Sequence, residues 1–122
     1  MAWNFDNNRP LYIQLLEVLK LKIVSGEIKP GEKFPTVRNL AEEAEVNPNT
    51  VQRALSELEK EELIETRRTI GKFVTENADR IESIKEELAG KVVEKFMINL
   101  KAIGYDENQI LELIKNSIKE EQ

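Results

Sequence analysis

Neither cysteine nor histidine occurs among the 122 residues. Their absence excludes disulfides, thiolate zinc sites, cysteine nucleophiles and imidazole acid/base chemistry together. Long apolar runs are also missing. The richest apolar stretch, Leu11 to Val24, is interrupted by Gln14, Glu17, Lys20 and Lys22, so no membrane span is expected. The start, Met1-Ala2-Trp3-Asn4-Phe5-Asp6, lacks the basic region and apolar core of a leader, and a soluble, cytoplasmic protein is expected. No internal repeat and no low-complexity tract is present. The length suits one ordinary domain, or one small domain with an appendage that buries its apolar face elsewhere.

The net charge of −5 is unevenly spread. Residues 1–75 carry 11 Lys/Arg against 12 Asp/Glu, whereas residues 76–122 carry 7 against 11. Two stretches in the first part hold cations and no acid: Asn47 to Ser56 with Arg53, and Thr66 to Thr75 with Arg67, Arg68 and Lys72. Both can face phosphate without repulsion.

Helical spacing of Tyr12, Leu15, Leu16, Leu19 and Ile23 after Pro10 predicts a first helix that stops at Gly26. Pro30-Gly31 predicts a type II turn into a short strand at Lys33-Phe34, which Pro35 closes. Thr36 is the expected cap of a second helix through Ala44, with Val37, Leu40, Ala41 and Ala44 inward. After a short break at Glu45-Val46, Asn47 as cap and Pro48 at the first position predict a third helix. Its apolar side is Val51, Ala54, Leu55 and Leu58.

Two short helices joined by a tight turn form a helix-turn-helix, whose second helix offers its N-terminal residues to base edges. Here those are Asn47, Asn49, Thr50, Gln52 and Arg53. Leu63 to Thr66 and Lys72 to Thr75 read as strands around a basic turn, so a wing follows, with Arg67 and Arg68 toward the DNA backbone or a minor groove. Past a linker at Glu76-Asn77-Ala78, a long helix ending at Gly104 aligns Ile81, Ile84, Leu88, Val92, Phe96 and Leu100. A last helix has a capping box at Asp106 and Gln109, a staple between Tyr105 and Ile110, and an apolar row of Ile110, Leu113, Ile114 and Ile118. Two helices make a poor core, and these rows are expected to pair with a second copy. The fold class expected is mainly α with a small β-hairpin wing. A winged helix-turn-helix over 1–76 precedes a dimerisation hairpin over 77–122.

The run Pro10 to Val74 resembles the DNA-binding domain of the GntR family of bacterial regulators. The resemblance is carried by Pro10-Leu11-Tyr12-Ile13-Gln14-Leu15, by Gly26 through Gly31, by Phe34-Pro35-Thr36-Val37-Arg38, and by Leu40-Ala41 with Val46 to Leu58. Asn47-Pro48-Asn49-Thr50-Val51, followed by two helices in place of a large effector domain, is similar to the YtrA-like subfamily. The resemblance implies DNA contacts at Arg38, Asn47, Asn49, Thr50, Gln52 and the wing tip; Thr36, Arg53, Arg67, Arg68, Thr69 and Lys72 are expected to join them. Glu45, Glu62 and Thr69 stand where the family usually has glycine, the residue that admits positive φ.

The function expected is sequence-specific operator binding by a dimeric repressor on a pseudo-palindromic site, with no enzyme activity, cofactor, metal or membrane partner. A winged helix that binds protein is the alternative. The C-terminal helices alone are too few to surround a small molecule, though a dimer could enclose a pocket between its subunits or domains, and the effector is left unassigned. Glu42-Glu43-Glu45 and Glu57-Glu59-Glu61-Glu62 read as solvated faces. Tyr12, Phe73, Phe96 and Tyr105 read as core or staple residues.

Overall fold

The computed structural model describes residues 3–121; Met1 and Ala2, the start of the stretch read for a leader, lie outside it with Gln122. The elements are α1 (Leu11–Val24), α2 (Val37–Ala44), α3 (Pro48–Lys60), β1 (Ile64–Arg67), β2 (Gly71–Val74), α4 (Ala78–Ile103) and α5 (Glu107–Glu121). The chain divides into two compact units, one ending at Ile84 and the next beginning at Lys85.

In the first unit α1 buries Leu15, Leu19 and Ile23, and it packs on α3, which buries Val51, Ala54, Leu55 and Leu58. Leu40, Ala41 and Ala44 of α2 join them, and Phe34, Leu63, Val74 and Ile84 complete the core. Each fully buried leucine or isoleucine contributes about 1.5–3 kcal/mol, which outweighs the weak helix propensity of such short segments. Gln14 is a polar residue inside this core. Its amide donates to the carbonyls of Asp6 and Arg9 at 2.6 and 2.9 Å and accepts from the Asp6 N–H at 2.6 Å, fixing the segment before α1.

Helix starts follow local chemistry. Thr36 accepts from the N–H of Asn39 at 3.1 Å, Asn47 from that of Asn49 at 2.7 Å, and Asp106 and Gln109 exchange bonds of 2.9 Å each as a capping box. Asn77, read as linker, is instead the cap of α4, accepting from the Arg80 N–H at 3.1 Å. The Pro30-Gly31 turn closes with Glu32 N–H on the Lys29 carbonyl at 2.9 Å, Gly31 taking φ 79°. The expected strand at Lys33-Phe34 is reduced to a single bridge, Lys33 opposite Phe73. The antiparallel wing pairs Ile64 with Val74 and Arg67 with Gly71.

The acidic clusters need one correction. Glu42, Glu43, Glu45 and Glu62 are exposed, but Glu59 and Glu61 are half-buried. Glu61 receives Lys20 at 2.9 Å, and its carbonyl takes Arg80 Nε at 2.7 Å. Glu59 receives Lys72. Both lie at the end of α3, where cations from α1 and the wing approach.

In the second unit Ile110 is buried, while Leu88, Met97 and Leu100 are half-buried. Val92, Phe96, Leu113, Ile114 and Ile118 are exposed, and so is Tyr105, expected at a staple. A lone helix pair encloses only one row of side chains, which leaves Phe96 and Tyr105 open. Among the residues aligned for pairing, Ile84 and Ile110 are 1% and 2% exposed. They are spent inside their own units and are not free for a partner.

Candidate nucleic-acid interface

The turn between α2 and α3 depends on Glu45, whose left-handed backbone (φ 57°) caps α2. Val46 then donates its N–H to the Ala41 carbonyl at 3.1 Å, and Asn47 starts α3 at once. Pro48 has no N–H to satisfy, so Asn47 serves the next donor, that of Asn49. With Val51, Ala54 and Leu55 fully buried, the 3.6-residue period puts Asn49, Gln52 and Arg53 on the outward side, all exposed. Thr50 is half-buried. The Asn47 Oδ1 is committed to its cap, leaving the amide nitrogen as that side chain's available donor.

Arg38, on α2, is exposed and lies 3.4 Å from Glu42, a solvated pair of small worth that an incoming phosphate can displace. Thr36 shares an apolar crevice of about 220 Å³ with Pro35, Val37, Ile70, Gly71 and Lys72, which brings the wing beside the start of α2. Thr69, at φ 66°, turns the wing; Arg67 and Arg68 precede it and are exposed. The Arg67 guanidinium sits 4.2 Å from the Phe73 ring centre and 3.3 Å from Glu65. Lys72 is taken up between the wing and α3. Its ammonium pairs with Glu59 and donates to Thr66 Oγ1 at 2.9 Å. The hydrogen bond from Lys72, with Thr66 adding to it, holds the Glu59 carboxyl below the ordinary glutamate range against a smaller effect of burial.

Tyr12 and Glu59 escaped the sequence reading as parts of this surface. Arg53 stacks on Tyr12, with 3.6 Å from guanidinium carbon to ring centre, and Glu59 ties α3 to the wing. Both contacts join side chains on different elements, so no local pattern announces them. Among the described residues no group of histidine, cysteine, aspartate or glutamate is arranged to hold a metal ion.

Residues 11–74 match the family model described as bacterial regulatory proteins, gntR family. The chain is 38% identical over 94 residues to the HTH-type transcriptional repressor YtrA of Bacillus subtilis (strain 168), covering 72% of each protein. A GntR family transcriptional regulator from Listeria monocytogenes has a similar structure, with TM-score 0.85 and 38% identity over 92% of this chain and 98% of that one. The DNA-binding domain of AraR, solved in complex with operator ORX1, aligns at TM-score 0.55 and 25% identity over 62% of this chain and 95% of that one.

Proposed function

The chain belongs to the gntR family of bacterial regulatory proteins, and on that premise we propose that it is a dimeric repressor that binds a pseudo-palindromic operator. The observation that carries this reading is the start of α3, where Asn49, Gln52 and Arg53 are exposed in a row free of acids. A helix presenting the Asn49 and Gln52 amides there suits the donor and acceptor edges of the major groove, with the Arg53 guanidinium beside them for phosphate. Arg38 and the wing arginines, Arg67 and Arg68, supply phosphate contacts on either side. Thr36, Asn47 and Thr69 add backbone contacts, and Thr50 lies at the edge of the groove. Lys72, committed to Glu59, is left out of this set. That an AraR domain of similar fold was solved on its operator supports the same placement.

The second copy is held through the C-terminal helices. Val92, Phe96, Leu113, Ile114 and Ile118 are exposed, and a groove of about 240 Å³ between Phe96 and the α5 residues is lined mostly by apolar side chains. Such a surface on two helices is covered most simply by its own symmetry mate, alongside Leu88 and Leu100. A DNA partner places the protein in the cytoplasm, and no helix among the described residues is long and apolar enough to cross a membrane.

Selection from a random pool of duplexes with the full chain tests the reading. Enrichment of a motif with two-fold symmetry, weakened steeply by salt, is the expected result. No enrichment even at low salt overturns it in favour of a protein-binding winged helix.

A further inference from the structure

The cations of the candidate interface differ in what occupies them. Arg38 lies beside Glu42, Arg67 beside Glu65, and Lys72 is tied to Glu59. Among the described residues no ion pair involves Arg68, and none involves Arg53. Its guanidinium lies instead over the ring of Tyr12, at 3.6 Å. Tyr12 is in the first turn of α1, half-buried, and α1 packs directly on α3.

This arrangement has a chemical consequence. A carboxylate partner takes up guanidinium N–H groups, whereas an aromatic face meets the flat π surface and leaves the in-plane donors at the edge unspent. Arg53 is thus held in place while its donors remain available. It follows Asn49 by one helical turn on the same side of α3. Leu11, Tyr12, Asn49, Thr50 and Arg53 together line an open cleft of about 310 Å³. An arginine already restrained surrenders less rotamer freedom when an anion arrives.

We propose that Tyr12 is a positioning residue for DNA recognition: its ring holds Arg53 so that the guanidinium donates to an operator phosphate beside the bases under Asn49. The proposal rests on the operator reading above and adds to it a residue of α1, outside the helix-turn-helix and the wing. The ring acts, not the hydroxyl. Because the contact is to phosphate, its loss weakens binding to all sequences alike.

The test uses the full chain, the duplex it selects, and a random duplex of the same length, with thermal unfolding followed alongside. Tyr12→Phe is expected to bind as the parent does. Tyr12→Leu is expected to weaken both duplexes about three- to tenfold. Arg53→Gln should weaken both further and make the salt slope shallower by about one unit, as loss of one phosphate contact requires. In the Arg53→Gln background, Tyr12→Leu should cost nothing more. Equal losses from Tyr12→Leu with and without the arginine, or parent-like binding by Tyr12→Leu, overturn the proposal. Arg53→Lys, at an exposed position, keeps the charge without the planar face, so its expected loss of affinity does not depend on the stability of a Tyr12 variant. Parent-like binding by Arg53→Lys also overturns the proposal. A parent chain that binds neither duplex overturns the operator reading itself, a result distinct from any difference between variants.

Discussion

Glu45, Glu62 and Thr69 take φ of 57°, 61° and 66°, the left-handed region, at the positions where the GntR resemblance leads one to expect glycine. The backbone path is kept without the residue that adopts it most easily. A side chain there costs about 1–2 kcal/mol, partly offset because glycine has more freedom to lose from the unfolded chain. Glu45→Gly and Glu62→Gly are each expected to stabilise the protein by about 0.5–1 kcal/mol. Denaturant midpoints compared with the parent check this, and a midpoint that falls at either site counts against the argument. For recognition, Asn49→Ala and Gln52→Ala should each cost about 1–3 kcal/mol on the selected operator and less on a random duplex. Equal loss on both duplexes assigns these amides to phosphate instead. The outward set on α3 was legible in the sequence because a cap and an apolar period fix it locally. The stacking of Arg53 on Tyr12 was not, because it depends on how two helices pack.

Caps, turns and apolar rows act within a few residues, and the five helices and the wing were readable from them. Asn77 was missed because its cap bond to Arg80 lies in a stretch whose polar composition also suits a linker. Glu59 was missed for a different reason. A glutamate on a helix rich in glutamate reads as solvated until the wing folds back and brings Lys72 to it. That contact makes the joint between α3 and the wing sensitive to acid. Lys72, by its hydrogen bond, lowers the Glu59 pKa in the folded protein. The stabilisation is therefore complete above the ordinary glutamate range and is lost as pH falls through the lower, folded value. Glu59→Gln should be less stable than the parent near neutrality, and the gap should narrow in acid. Denaturant titrations across pH measure this directly, and a gap independent of pH refutes the assignment.

At the scale of the molecule, the burial of Ile84 in the first unit and Ile110 in the second leaves pairing to the half-buried Ile81 and to Leu88, Val92, Phe96, Leu100, Leu113, Ile114 and Ile118. Sedimentation of the full chain is expected to show a dimer at micromolar concentration. Phe96→Glu or Val92→Glu should yield monomers with unchanged helix content. A monomeric parent contradicts the pairing. That these helices leave an apolar surface was legible from their number alone; which residues are spent inside each unit required the structure. The bond from Lys72 to Glu59, with Thr66 beside it, carries a last consequence. It fastens the wing to the helix proposed to enter the groove, so the two act as the fixed jaws of a caliper. A caliper reads distance, independently of the letters at either end. Inserting one base pair between the step the wing grips and the bases under α3 should therefore abolish specific binding by the parent, while Glu59→Gln, with its jaws unfastened, should tolerate the insertion better.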